Sequence, residues 1–183
     1  SITNITSSTA DEVNTMVTNK TAIGLDNNWN VILSDTSLSA AEVKTINAGT
    51  SGTINISLAT TITSSSASDV LEIVNNTNAA FTTASDYSVT LSGTVSTANV
   101  NTIINDTTGI VTATVTATGS VSTLNSALSN ASSSDALTLV LDAISASASD
   151  LNTLNTKTSV NINAASITNI TSSTADEVNT MVT

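Results

Sequence analysis

Read for hydrophobic and polar positions, the chain alternates between two rhythms. In the first, two aliphatic residues stand three apart behind a Ser or Thr: Val13 and Met16, Val43 and Ile46, Val70 and Ile73, Val100 and Ile103, Leu151 and Leu154. That spacing puts both on one stripe of an α-helix about two turns long. The second rhythm has period two. "TINISL" alternates Ile54, Ile56 and Leu58, and "IVTATVTAT" alternates Val111, Ala113, Val115 and Ala117. "ALTLVL" alternates Leu137, Leu139 and Leu141, and "SVNINA" alternates Val160, Ile162 and Ala164. Alternation predicts strands with one buried face. Val111, Val115, Leu137, Leu139, Leu141, Val160 and Ile162 are therefore predicted to point inward. A second short strand, as in "SITNITS", is predicted before several of the helices.

The helical phrase occurs seven times, starting at Thr9, Ser39, Ser66, Ser96, Ser120, Ser147 and Thr174. Each start is a hydroxyl residue suited to accept a free backbone N–H. Three residues on stands Glu12, Glu42, Asp69, Asp150 or Glu177, which predicts capping boxes and puts a negative charge at the positive end of the helix dipole. Asn99 and Thr123 fill that slot in two weaker copies. Polar clusters such as "NAGTSG", "NNTN" and "NDTTG" predict the turns that follow.

One helix with one or two strands in about 27 residues cannot bury its own apolar stripe. Such units must stack on their neighbours. The expected fold is an α/β solenoid of about six coils of 24–30 residues, with strands in parallel ladders. The coils span 9–38, 39–65, 66–95, 96–119, 120–146 and 147–173. Residues 1–8 read as the end of a preceding coil and 174–183 as the start of another, so 1–183 is expected to be a single continuous repeat array. The phrase "SITNITSSTADEVNTMVT" occupies 1–18 and returns unchanged at 166–183, a super-period of 165 residues. The two copies are expected to hold equivalent positions, with more of the same material at both ends, by covalent continuation or by end-to-end stacking of subunits.

Composition narrows the chemistry. The chain is 39% hydrophobic but only 2% aromatic, so its core must be thin and aliphatic. The net charge is −11 with three lysines, which leaves no cationic footprint for nucleic acid and no polybasic patch for a membrane surface. No apolar run approaches the roughly 20 residues that span a bilayer. There is no His, Cys or Arg, so the usual bases, thiol nucleophiles and guanidinium clamps are missing. Five carboxylates fall in cap slots. No enzyme activity, cofactor or metal is implied.

Three features remain as candidates for binding. The aromatic residues Trp29, Phe81 and Tyr87 fall in the two 30-residue coils, with Asp26 ahead of Trp29 and Asp86 ahead of Tyr87. Asp26, Trp29, Phe81, Asp86 and Tyr87 read either as lateral-contact loops or a glycan platform, or as rings folded back over an apolar edge. Thr112, Thr114, Thr116 and Thr118 share one strand face, as an ice-binding ladder would. The outward positions Asn55, Ser57, Thr90, Ser92, Asn161 and Asn163 are mixed, which favours an ordinary polar face. Seven Asn-x-Ser/Thr triplets, beginning at Asn4, are what so much Asn, Ser and Thr produces by composition.

The stretch "SASDLNTLNTKTSVNINAASITNITSSTADEVNTM" resembles the Ser/Thr/Asn-rich tandem repeats of giant bacterial cell-surface proteins of the marine cyanobacterial type, and the resemblance extends over essentially the whole chain. It implies an extracellular structural or adhesive role: a segment of a long fibre, filament or surface stalk, or a module presenting a ladder to glycan, ice or another cell. It supplies no catalytic residues. With six Gly and no Gly/Asp nonapeptide, calcium is not implied.

Overall fold

The computed structural model describes residues 1–181; Val182 and Thr183, which end the second copy of the 18-residue phrase, lie outside the described residues. The chain is a mixed α/β protein with parallel sheets and eight helices among the described residues. Its residues group into two compact units, Ser1–Leu91 with Asp106–Gly109, and Ser92–Asn105 with Ile110 onward.

The first unit contains β1 (Ile2–Ser8), α1 (Ala10–Thr18), α2 (Lys20–Ile23), β2 (Leu25–Leu33), β3 (Ser37–Ser39), α3 (Ala40–Gly49), β4 (Thr53–Ile56), β5 (Thr61–Ser65), α4 (Ala67–Val74) and β6 (Ala80–Thr83). It also holds the first residues of β7 (Ser88–Ser96). β1, which precedes α1, joins the strands that follow the helices, β2, β4 and β6, in one parallel sheet of order β1-β2-β4-β6. Strands before the later helices form another: β3 pairs with β5 and β5 with β7, for example Ser37↔Thr61 and Thr61↔Ser88. The second unit contains α5 (Thr97–Asp106, except its last residue), β8 (Val111–Thr116), α6 (Val121–Ala127), β9 (Ala136–Leu139), β10 (Ser145–Ala146), α7 (Ala148–Asn155), β11 (Asn169–Ile170) and α8 (Ala175–Met181). There β8 pairs with β9 and β10 with β11, again parallel.

All seven predicted phrases are helices, and the reason is visible at each start. The cap hydroxyl accepts the N–H three residues on in every copy, from Glu12 N to Thr9 Oγ1 at 3.3 Å through Asp150 N to Ser147 Oγ at 3.0 Å. The reciprocal half of the box forms only with glutamate: Glu12, Glu42 and Glu177 accept from the N–H of Thr9, Ser39 and Thr174. The boxes expected at Asp69 and Asp150 are half-formed. An aspartate is one methylene shorter, and these two turn instead to Lys44 Nζ and Ser147 Oγ.

Hydrogen bonds recur between positions 25 residues apart. The first N–H of a helix is taken by a side chain 25 residues on, shortly ahead of the next helix: Ala10 N by Asp35, Ala40 N by Ser65 Oγ, Ala148 N by Ser173 Oγ. These side chains satisfy donors that a helix leaves without an internal partner. Asn125 and Asn152 donate to the carbonyls of Asp150 and Glu177 in the next helix. Lys44 bridges forward to Asp69 and Glu72 at 2.7 and 3.2 Å.

The core is mostly aliphatic as expected, but its two largest fully buried side chains are Trp29 and Tyr87. Val111, Val115, Leu137, Leu139 and Leu141 are buried. Val160, Ile162 and Ala164 alternate with exposed neighbours as predicted, but stay half-buried, and 159–164 is not a strand. Its one sheet contact is the bridge Val140↔Asn163. A strand needs an edge to pair with along its length, and this segment has one residue of it. The helix α2 was not foreseen. It is a single turn closed by Gly24 at φ 67°, the left-handed conformation glycine adopts without strain.

Candidate functional site

The five residues singled out by sequence separate in the structure. Trp29 and Tyr87 are 0% and 1% exposed, so neither ring is presented as a contact platform. Trp29 lies within β2 rather than in a loop, and its Nε1 donates to the Gly49 carbonyl at 3.2 Å. Tyr87 donates its hydroxyl to Asp106 Oδ2 at 2.8 Å. Burial, reinforced by that carboxylate, pushes the phenol well above its ordinary value. Phe81 is half-buried in β6, Asp26 half-buried in β2, and Asp86 exposed. Two of the five therefore belong to the core. The physical reason is apolar area: a core of small aliphatics gains most from burying its few large rings, and each ring's polar atom finds a partner, Trp29 Nε1 at the Gly49 carbonyl and the Tyr87 hydroxyl at Asp106.

Each buried ring sits in a recurrent latch that the sequence reading missed. Thr50 Oγ1 donates to the Trp29 carbonyl at 2.5 Å and accepts from Gly52 N at 3.0 Å. Thr107 does the same for Tyr87 and Gly109, at 2.6 and 3.0 Å. Thr158 does it for Leu137 and Val160, at 2.8 and 3.1 Å. The next residue in each case donates its N–H to the carbonyl two residues before the one the threonine holds: Ser51 to Asn27, Thr108 to Ser85, Ser159 to Asp135. A Cβ on Gly52 would lie 2.2 Å from the Trp29 oxygen, and one on Gly109 2.3 Å from the Tyr87 oxygen. Those two glycines are what allows the backbones to close. The signal was present: a Thr-Ser-Gly or Thr-Thr-Gly follows each of the two rings at about 20 residues.

The outward face of the β1-β2-β4-β6 sheet is mainly polar. Asn4 is in register with Asn30, Ile32 with Asn55, and Asn55 with Thr82. An open groove of about 330 Å³ runs over these positions, with Thr6 and Thr53 beside it. Ile32 is 44% exposed there. Much of the amide capacity is spent between coils: Asn30 Nδ2 donates to Asn4 Oδ1, and Asn30 Oδ1 accepts from both N and Oγ1 of Thr53 at 2.9 Å.

Charged groups are distributed as structural fittings. Lys20 and Lys157 donate to the carbonyls of Gly49 and Leu128, each near the end of another helix. Lys44 is held charged by its hydrogen bonds to Asp69 and Glu72, which raise its pKa. Lys44 and then Ser66 hold the Asp69 carboxyl below its usual range. The Thr174 backbone N–H does the same for Glu177. Among the described residues no three metal-ligating side chains come together, and no helix is long and apolar enough to cross a membrane.

No family model matches the chain, and neither the curated proteins nor the solved structures yield a match.

Proposed function

We propose that this chain is a structural repeat segment of a long extracellular fibre, filament or surface stalk, folded as an α/β solenoid and without catalytic activity. The observation that carries the reading is the 25-residue coupling. Helix starts, a lysine and two helix asparagines are each bonded to a residue 25 further along the chain: Ala10 to Asp35, Ala40 to Ser65, Lys44 to Asp69, Asn125 to Asp150, Ala148 to Ser173 and Asn152 to Glu177. Neighbour-dependent units of this kind gain stability with each unit added. The resemblance to bacterial surface repeats supports the extracellular setting.

The test is a chain with two consecutive 165-residue super-periods, compared with the 183-residue chain by small-angle scattering and electron microscopy. The expected result is a particle of unchanged cross-section whose length grows in proportion, with a higher melting temperature. Two independent globules of unchanged stability would sink the proposal.

A second reading is an adhesion module. The Asn/Thr face with its exposed Ile32 favours it, because sugars are bound by amides beside an apolar patch. Binding on a glycan array, lost in Asn55→Lys, is the result that reading requires.

A further inference from the structure

The outward side chains of the β1-β2-β4-β6 sheet stand in two rows that run across the strands, and the rows differ in what is left to bond. The first row holds Asn4, Asn30 and Thr53. Its members are bonded to one another: Asn30 Nδ2 donates to Asn4 Oδ1 at 3.1 Å, and Asn30 Oδ1 accepts from N and Oγ1 of Thr53. The second row, two residues further along each strand, is Thr6, Ile32, Asn55 and Thr82, in register across all four strands. Here Asn55 Oδ1 accepts from the N–H of Ser57, but that is the row's one side-chain bond. The hydroxyls of Thr6 and Thr82 and the Nδ2 of Asn55 have no protein partner among the described residues. Ile32 stands between them, 44% exposed. The groove of about 330 Å³ over this face is lined by both rows and by no charged residue.

We propose that the row Thr6–Ile32–Asn55–Thr82 binds a neutral polysaccharide chain laid across the strands. The proposal rests on the adhesion reading and adds the class of sugar, the residues that hold it and the direction in which it lies. Charge selects a neutral chain. The lining holds no cation to pair with a sulfate or carboxylate, and a protein of net charge −11 repels an anionic polymer before contact. Chemistry selects a sugar. A sugar ring carries hydroxyls at its rim and a patch of C–H groups on its face. Ile32 meets the C–H patch, the two threonine hydroxyls donate or accept, and the Asn55 amide nitrogen donates. Length selects a chain over a single ring, because three strand spacings of about 4.8 Å make the row about 14 Å long. A row that orders ice repeats one hydroxyl group from strand to strand, and Ile32 and Asn55 interrupt that repeat here. The first row has already spent its amides, so it shapes the groove and leaves the bonding to the second.

The experiment is calorimetric titration of the 183-residue chain with neutral hexose tetrasaccharides, the matching monosaccharides and sulfated tetrasaccharides. The expected result is binding of neutral tetrasaccharides that does not change with salt. Monosaccharides should bind at least about tenfold more weakly, and sulfated chains not at all. Thr6→Val combined with Thr82→Val removes both hydroxyls and should weaken binding at least about tenfold. Both positions are exposed, so the fold should be kept, which Trp29 fluorescence checks. Thr138→Val, an exposed threonine of β9, is the control and should leave the affinity unchanged. Three results overturn the proposal and leave the adhesion reading standing: a preference for sulfated chains, equal binding of monosaccharides, or neutral binding that the double variant does not weaken. If no sugar binds at all, the adhesion reading falls as well.

Discussion

Residues 1–16 and 166–181 are the same sequence in two settings, and they agree only in part. From Ser7 and Ser172 onward they match: a left-handed serine, a threonine cap, a glutamate closing the box, then a helix. Before that point they differ. Ile2–Ser8 is a seven-residue strand paired with residues ahead of it, Asn4 with Asn30 and Ile5 with Val31. Their counterparts Asn169 and Ile170 form a two-residue strand paired with residues behind, Ser145 and Ala146. The lesson concerns where structure is written. A cap is a bond between residues three apart, so the words carry it anywhere. A strand is completed by its neighbour, so the same words take whichever edge is offered. Burial follows the neighbour too: Ala10 and Val13 are buried, while Ala175 is exposed and Val178 half-buried.

The sharpest way to break this comparison is to place one charge in each copy. Val13→Asp buries an unpaired carboxylate and should cost about 4 kcal/mol or more, enough to unfold the first unit. Val178→Asp should cost under about 1 kcal/mol. The single Trp makes this readable, since Trp29 lies in the first unit and its fluorescence reports that unit alone. Equal destabilisation in both positions would refute the assignment of their difference to covering neighbours.

An alkaline titration sharpens the same contrast. The folded state holds Tyr87 protonated, its pKa raised first by burial and then by Asp106. A raised pKa contributes stability that is fully present below the unfolded value of about 10 and is lost as pH rises through the folded one. Phenolate absorbance should therefore appear together with loss of the buried Trp29 signal. Phenolate forming near pH ~10 with Trp29 undisturbed would contradict the burial.

Smaller still is the effect of the caps, where the copies should behave alike. Thr9→Ala and Thr174→Ala should each cost about 1 kcal/mol of local helix stability, read as faster amide exchange at Glu12 and Glu177. A loss confined to one copy would show that caps also depend on neighbours. The smallest effect is acid loosening of α8. The Glu177 carboxyl is held below its usual range, so its contribution is present above about pH 4.3 and is lost as pH falls through the lower folded value. Protection of the α8 amides should be flat down to that range and then decline; a decline beginning well above it would point to another group.

These contrasts also explain what could be read from sequence. The helix starts were legible because each is a contact within four residues. The inward positions of β8 and β9 were legible because alternation survives wherever a partner strand is present, and 159–164 failed because only Asn163 found one. The rings of Trp29 and Tyr87 looked like surface features because aromatic residues are so rare in this chain. Their burial depends on Thr50 and Thr107, 21 and 20 residues away. No local pattern contains both ends of such a latch. The outward Asn/Thr face was legible as polar, but its consumption in Asn4–Asn30–Thr53 bonds required knowing the register.

The forward direction of the coil couplings has a consequence for how such a chain comes into being. Ala10 waits for Asp35, Ala40 for Ser65 and Ala148 for Ser173. A ribosome delivers these residues in order, so these three helices emerge with the first amide unmatched and are completed only after another 25 residues of synthesis. For α1, α3 and α7, completion of the helix start is therefore paced by delivery of the chain that follows it.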